Sequence, residues 1–216
     1  MKYECLILDH DDTIVNSTES VNYISFTHVL KKLRPDVNIT LDEFFKLNFD
    51  LGFLPMCYDV FNFSKDEMNY QVEYWQDYIS RHSPQIFEGV KELLWDFVNS
   101  GGKIFVVSHS MSREIIRHYK EHGLPCPEHV YGWEYEEIKR KPSTWPVEDI
   151  IKKYGFKKEE ILMVDDLKPG KIMADNSGIS FAAAGWAHNI PEIVNYMRHE
   201  SKIYCSSVFE LREILF

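Results

Sequence analysis

The stretch from Cys5 to Thr13 constrains this chain more than any other part of its sequence. Four apolar residues, Cys5-Leu6-Ile7-Leu8, have the continuous pattern of a strand that is buried on both faces of a sheet. They lead directly into Asp9-His10-Asp11-Asp12-Thr13, so three carboxyl groups and a hydroxyl follow the strand. Buried carboxylates cost several kcal/mol unless a cation or hydrogen-bond donors meet them. Ligands of open α/β sheets bind just beyond such strand ends, and we therefore expect a functional site at Asp9.

The chain beyond Gly89 alternates between strand and helix patterns. Apolar runs predict further strands at 103–107, 129–131, 161–164 and 179–183, and amphipathic segments separate them. Pro191 and Ser207 lie near the starts of two closing helices. Strands joined through helices require right-handed crossovers. The expected fold class is therefore α/β, with a doubly wound, Rossmann-like parallel sheet.

Residues 16–86 interrupt this alternation with helical patterns alone. Capping boxes begin at Thr40 and Ser64, each followed three residues later by Glu, and no strand pattern lies between them. We therefore expect two domains: an α/β core formed by residues 1–15 and 87–216, and a small all-helical domain formed by residues 16–86.

Polar residues follow several of the predicted strands. Asp9 and Asp11 follow the first strand, Ser108 follows the strand at 103–107, and Asp165 and Asp166 follow the strand at 161–164. Parallel strands align their carboxyl ends, so we expect these side chains to meet. Four clustered carboxyl groups cannot all stay ionised without a counter-charge. All are hard oxygen ligands and no Cys or His has a zinc-like spacing around them, which favours Mg²⁺.

The same cluster has the groups that phosphoryl transfer requires. Ser108 offers a hydroxyl donor and Lys141 a mobile positive charge for the oxygens of a phosphoryl group. One aspartate can attack phosphorus while another, two residues on, moves the protons. His109 follows Ser108 and is a substrate-binding candidate that could equally only shape the pocket. His118 and His122 lie one helical turn apart, and a solvated helix face is the simpler interpretation.

Composition restricts the partners of the chain. Its formal net charge of −10 argues against nucleic acid or an anionic membrane as a partner. It has neither a signal-peptide pattern nor an apolar run of membrane-spanning length, and its four cysteines form no CxxC pair. We expect a cytoplasmic monomer or homodimer that acts on a small phosphorylated metabolite.

These motifs together resemble the haloacid dehalogenase superfamily of phosphatases and phosphotransferases. Asp9-His10-Asp11-Asp12-Thr13 matches its first motif, DxDxT, and the strand ending at Ser108 matches the second. Lys141-Pro142 matches the third, and the strand ending in Asp165-Asp166 matches the fourth. All four occur in the family's order and cover most of the chain.

The resemblance implies a role for each matched residue. Asp9 would be the nucleophile that becomes an aspartyl phosphate, and Asp11 the general acid and base. Ser108 and Lys141 would hold the phosphoryl oxygens. Magnesium would be bound by Asp9, the backbone carbonyl of Asp11 and Asp166, with Asp165 in support. Residues 16–86 would be the helical cap that excludes water and selects the leaving group.

The sequence departs from the family pattern at two positions. Asp12 stands where most relatives have Gly, which adds a charge to the catalytic turn. Gly170 stands where many relatives have a further acid, so the chain belongs with the variants that carry an adjacent acid pair.

Other functions with similar residues stay open to different degrees. A sugar-phosphate mutase of the same family would keep every residue named above. A phospho-acceptor module like a response-regulator receiver is disfavoured, because its acid pair comes first and no helical domain interrupts it. A catalytically silent binding protein requires that Asp12 block the site. Dehalogenation is disfavoured because Asp11 supplies the acid that a leaving alcohol needs.

Overall fold

The computed structural model describes residues 2–216 and divides the chain into two compact units. One unit combines the N-terminal residues through Asn16 with Ile86–Phe216, and the other is Ser17–Gln85. The first contains all the strands of the sheet, and the second is helical.

The first unit is built on one parallel sheet of six strands, which confirms the predicted fold class. The strands are β1 (Cys5–Leu8), β2 (Lys103–Val107), β3 (His129–Tyr131), β4 (Ile161–Asp165), β5 (Ser180–Ala184) and β6 (Ile203–Cys205). Their order in the sheet is β3-β2-β1-β4-β5-β6, so β1 lies in the interior between β2 and β4. All four side chains of β1 are buried, as its apolar sequence predicts. The sixth strand was not expected from the sequence.

Residues 2–216 also form ten α-helices, the third of them a single turn, besides short π-helices at Thr18–Asn22 and Met56–Val60 and 3₁₀-helices at Glu137–Lys139 and Lys158–Glu160. The α-helices are α1 (Tyr23–Leu33), α2 (Leu41–Asp50), α3 (Phe53–Pro55), α4 (Lys65–Arg81), α5 (Val90–Asn99), α6 (Ser112–His122), α7 (Trp145–Tyr154), α8 (Lys168–Ser177), α9 (Pro191–Glu200) and α10 (Val208–Leu215). Gly123 and Gly178 end α6 and α8 in the left-handed conformation, which glycine adopts without a steric cost. Helices α9 and α10 begin where Pro191 and Ser207 predict them.

The helical unit has its own aromatic core. Phe26, Phe44 and Phe63 are buried, and the ring centroid of Phe26 lies 5.2 Å from that of Phe44 and 6.1 Å from that of Phe63. The predicted capping boxes at Thr40 and Ser64 are both present, and they fix the starts of α2 and α4. This unit therefore has the two features of an independently packed element: defined helix starts and a closed apolar core.

Within residues 2–216, no helix is both long and apolar enough to cross a membrane. All four cysteines are free thiols, and Cys126 is the exposed one.

Candidate active site

The sheet brings the predicted site residues to its carboxyl edge. Leu8 at the end of β1 pairs with Val106 of β2 on one side and Val164 of β4 on the other. The next residue, Asp9, extends this pairing, because its N–H donates to the carbonyl of Val164 at 2.9 Å. Ser108 likewise extends the pairing of β2 with β3, because its backbone N–H donates to the carbonyl of Tyr131 at 3.0 Å. The strand ends therefore place residues far apart in sequence side by side.

Lys141 joins two of the predicted aspartates. Its Nζ lies 2.7 Å from Oδ1 of Asp9 and 2.7 Å from Oδ2 of Asp165, and all three side chains are buried. A buried ammonium group between two carboxylates neutralises only part of their charge. Asp166 and Asp12 are also buried, and Asp11 is partly buried.

Burial and mutual repulsion change the protonation of this cluster. Desolvation, together with the charges of Asp165 and Asp11, raises the pKa of Asp9 to about 8, although Lys141 acts to lower it. Desolvation also raises the pKa of Asp166 well above its usual range, and the neighbouring carboxylates add to the rise. Burial acts to lower the pKa of Lys141, but Asp165 and Asp9 outweigh it and raise that pKa. The cluster thus favours ionised carboxylates only when more positive charge is present.

The two adjacent acids of the fourth motif have different environments. Asp165 Oδ1 accepts a hydrogen bond from the backbone N–H of Leu167 at 2.8 Å, and its Oδ2 accepts one from Lys141. Asp166 Oδ1 is buried and has no hydrogen-bond partner among residues 2–216. Asp165 is therefore already engaged, whereas Asp166 has an oxygen available for a ligand.

The residues present fit a small divalent cation. Asp9, Asp165 and Asp166 each offer a carboxylate oxygen, and the three oxygens lie within 4.8 Å of one another. The buried Asp166 Oδ1 requires a partner. Such a set of hard oxygen ligands suits a divalent cation.

Asp11 is held by two serines of the loop after β2. Its Oδ2 accepts a hydrogen bond from Ser110 Oγ and lies 3.4 Å from Ser108 Oγ. Ser108 Oγ in turn accepts the backbone N–H of Ser110 at 3.1 Å. Ser110 does not cap α6, because the N-cap residue of this helix is Met111, which makes no side-chain capping bond. A serine just before a helix usually caps it, but Ser110 contacts Asp11 instead.

His118 contradicts its interpretation as part of a solvated helix face. It is buried, and its Nδ1 lies 2.9 Å from Nε2 of the equally buried His10. Arg117 Nη2 is 3.0 Å from His118 Nε2, and because arginine only donates, the proton of a neutral His118 is on Nδ1. His118 therefore donates to His10, the residue between Asp9 and Asp11. Its one-turn spacing from His122 concealed this role, because the sequence does not show which face of α6 is covered.

His109 and Gly170 also have defined places in this edge of the sheet. His109 Nε2 donates to the backbone carbonyl of Lys141 at 2.9 Å, so it contacts the third motif. A Cβ atom at Gly170 would overlap the side chain of Asp165. The larger acid that many relatives carry there cannot coexist with Asp165 in this position.

Solved structures of other proteins have the same fold as this chain. The chain aligns over all of its length with a predicted phosphoglycolate phosphatase from Haemophilus somnus, at 15% identity, 99% coverage of that chain and a TM-score of 0.79. It aligns equally completely with a haloacid dehalogenase-like family hydrolase from Streptococcus pneumoniae, at 15% identity, 99% coverage of that chain and a TM-score of 0.75.

A third structure, mutant CbbY from Rhodobacter sphaeroides in complex with xylulose 1,5-bisphosphate, is 13% identical. Its alignment covers 95% of this chain and 94% of the CbbY chain, with a TM-score of 0.71. At such identities these structures show a shared fold. A comparison with curated protein sequences found no match.

The family comparison is more direct, because it rests on the sequence itself. The model of the haloacid dehalogenase-like hydrolases matches residues 6–184, a range that begins in β1 and ends at the end of β5. It therefore includes all four motifs and the helical unit. The protein belongs to the haloacid dehalogenase-like hydrolase family.

Proposed function

We propose that the protein is a Mg²⁺-dependent phosphatase that hydrolyses a small phosphomonoester through an aspartyl phosphate at Asp9. The observation that carries this proposal is the buried cluster in which Lys141 lies between Asp9 and Asp165, beside an Asp166 oxygen without a partner. Carboxylates around one fixed cation, with a further carboxylate oxygen that has no partner, suit the transfer of an anionic group.

In the first half of the reaction, Asp9 is the nucleophile. A carboxylate oxygen of Asp9 forms a bond to phosphorus while the bond from phosphorus to the leaving alcohol oxygen breaks. Asp11 donates a proton to that oxygen, so the alcohol leaves in its neutral form. The contacts of Asp11 with Ser110 and Ser108 support this role, because they fix a carboxyl group that must meet the leaving oxygen.

In the second half, water releases the phosphate. Asp11, now ionised, takes a proton from a water molecule whose oxygen attacks phosphorus, and the bond between phosphorus and Asp9 breaks. Free phosphate leaves, and the original protonation of both aspartates is restored. The same two side chains thus serve both half-reactions.

The remaining site residues bind the phosphoryl oxygens or the metal ion. Lys141 and the Ser108 hydroxyl interact with phosphoryl oxygens, and the raised pKa of Lys141 keeps it cationic at neutral pH. Asp9, Asp166 and the backbone carbonyl of Asp11 would hold Mg²⁺, and Asp165 would position Lys141. When bound, the ion supplies the positive charge that favours ionised Asp9 and offsets charge on the substrate phosphate.

The helical unit is proposed to act as the cap of this phosphatase. The order of motifs in this chain, with the helical residues 17–85 after the first motif, supports this role, because it is the arrangement that the family resemblance implies. A cap of this kind excludes water and contacts the leaving group. We propose a small phosphorylated metabolite of the cytoplasm as the substrate, in line with the sugar bisphosphate bound to CbbY.

A panel of phosphomonoesters that includes p-nitrophenyl phosphate tests the proposal. We expect phosphate release with Mg²⁺, little or none with a chelator, and a loss of at least about a thousandfold in Asp9→Asn. Asp175→Asn is a matched control, since this aspartate lies on the surface of α8 and pairs with Lys171. Equal activity of wild type and Asp9→Asn would refute the assignment of the nucleophile.

A further inference from the structure

Three side chains beside the phosphoryl site form a stack that the proposed mechanism does not use. His109 follows β2, Trp133 follows β3, and Arg140 precedes Lys141. The backbone N–H of Trp133 donates to the backbone carbonyl of Ser110 at 2.9 Å, which ties the loop after β3 to the loop after β2. The rings of Trp133 and His109 meet edge to face, with centroids 6.0 Å apart. The guanidinium carbon of Arg140 lies 3.8 Å from the centroid of the Trp133 ring.

Arg140 has no counter-charge in the described chain. Its guanidinium makes no ion pair or hydrogen bond among residues 2–216, and its Nε is buried without a partner. The nearest acids in sequence are engaged elsewhere: Glu136 pairs with Lys139 at 2.8 Å, and Glu134 accepts the backbone N–H of Ser112 at 3.2 Å. A buried donor without a partner is costly. Arg140 lacks an acidic partner even though this chain has 34 acidic residues against 24 basic ones.

The backbone holds Arg140 in a fixed place. Its N–H donates to the carbonyl of Glu137 at 3.1 Å, and its carbonyl accepts the N–H of Ser143 at 2.9 Å. Its neighbour Lys141 reaches Asp9, and the carbonyl of Lys141 is bonded to His109. The stack is therefore attached on both sides to residues of the phosphoryl site.

The contact with Trp133 leaves the guanidinium nitrogens of Arg140 without a hydrogen-bond partner among residues 2–216. Packing against an aromatic face uses the plane of the group, whereas its N–H donors lie in that plane and point outward. A planar fork of donors binds carboxylate or phosphate oxygens in pairs. Trp133 is 39% exposed, so its ring supports Arg140 without closing the loop edge to solvent.

We propose that Arg140, supported by Trp133 and His109, binds a second anionic group of the substrate, a carboxylate or a phosphate separate from the one that is transferred. This inference rests on the proposed phosphatase function and adds a substrate class to it: phosphomonoesters whose leaving group is itself charged. Such a substrate would be repelled by the carboxylates of the site, and Arg140 supplies the local positive charge that offsets this repulsion.

A series of three-carbon substrates tests this assignment. Glycerol 3-phosphate ends in an alcohol, 3-phosphoglycerate in a carboxylate and glycerol 1,3-bisphosphate in a second phosphate. We expect the wild type to prefer at least one of the charged substrates. In Arg140→Gln, the ratio of kcat/KM for the preferred charged substrate to that for glycerol 3-phosphate should fall about tenfold or more, because a charge-assisted bond is lost. The preferred compound identifies the anion as carboxylate or phosphate.

Two further variants separate recognition from structure. Arg140→Lys keeps the charge but loses the fork, and it should restore part of the ratio. Lys139→Gln removes the neighbouring charge, which is paired with Glu136, and should leave the ratio at its wild-type value. An unchanged ratio in Arg140→Gln, or a wild type that hydrolyses p-nitrophenyl phosphate without preferring a charged substrate, would overturn this inference alone. Inactivity toward every ester would overturn the proposed function as well.

Discussion

Asp12 is a charged residue in a backbone conformation that few side chains adopt. Its φ of 55° lies in the left-handed region, which Asp and Asn tolerate better than most residues. The side chain is only 4% exposed, and its N–H donates to the carbonyl of Val15 at 2.8 Å. Desolvation raises the pKa of Asp166 most, and the charges of Asp165 and Asp12 add to it. Asp12 therefore increases the negative charge that a cation at Asp166 would neutralise.

We predict that Asp12→Asn weakens Mg²⁺ binding. The substitution keeps a side chain that tolerates this conformation but removes one charge, so the apparent Kd should rise about tenfold, or about 1.4 kcal/mol. The readout is the rise in Tm over a Mg²⁺ titration. Asn62→Gly is the control for the backbone, since Asn62 has a φ of 52° and is exposed. An unchanged Mg²⁺ affinity in Asp12→Asn would show that this charge is irrelevant to the ion.

Gly170 provides a prediction from packing alone. In Gly170→Ala, the new methyl group would overlap the side chain of Asp165. Asp165 cannot move away, because it is buried and paired with Lys141. We expect a loss of about 1–3 kcal/mol in the free energy of unfolding and a fall in kcat. Ile172→Ala, on the exposed side of the same helix, should change kcat little. Wild-type kcat in Gly170→Ala would mean that Asp165 does not require its observed place.

Sequence patterns predict which residues at the strand ends belong to the site, but they do not predict which other side chains contact those residues. Asp9, Asp165 and Asp166 are predictable because polar residues rarely follow buried apolar strands without a reason. Ser110 and His118 are not, since a serine before a helix usually caps it and a helical histidine is usually solvated. Their contacts with Asp11 and His10 depend on which face of α6 packs on the sheet.

In the helical unit, an arginine joins the end of α1 to the start of α4. Arg34 Nη1 and Nη2 donate to the two carboxylate oxygens of Glu67 at 2.7 and 3.0 Å. Glu67 is also the glutamate of the α4 capping box. The bond to Arg34, followed by the backbone bond to Ser64, lowers the pKa of Glu67 from 4.5 to about 2.

This lowered pKa predicts how the stability of the unit depends on pH. Because the folded state holds Glu67 ionised, its contribution is fully present above pH 4.5 and is lost as the pH falls toward 2. Glu67→Gln should therefore lower Tm at pH 7, and its difference from wild type should disappear near pH 2. Glu43→Gln is the matched control, because Glu43 serves the α2 capping box without an arginine bond. Equal effects of the two substitutions at pH 7 would contradict the role of Arg34.

The elements that the sequence predicts best are those with strong local signals. The capping boxes at Thr40 and Ser64 and the glycines at the ends of α6 and α8 determine helix limits through bonds between nearby residues. Strands β3 and β6 are each three residues long and lie at the two edges of the sheet, and the sequence predicted β3 but not β6. So short a run has no periodicity of its own, and pairing with β5 defines β6.

For the whole molecule, motif order predicts the fold and the gathering of distant acids, because parallel strands have a common carboxyl edge. Composition does not identify the substrate, since a leaving group is recognised by a few side chains whose positions only the folded chain defines. Arg140 illustrates this: in the sequence it is one of three consecutive basic residues, whereas in the structure it is the one stacked on Trp133.

The proposed mechanism requires a covalent bond between Asp9 and phosphorus during turnover. In Asp11→Asn, p-nitrophenolate still leaves easily, but hydrolysis of the intermediate lacks its base, so the aspartyl phosphate should accumulate. Borohydride reduces an acyl phosphate to an alcohol, and peptide mass spectrometry should then find homoserine at position 9 in the Mg²⁺ sample and none with chelator. Turnover of p-nitrophenyl phosphate with an unmodified Asp9, or with the label at another residue, would contradict the claim.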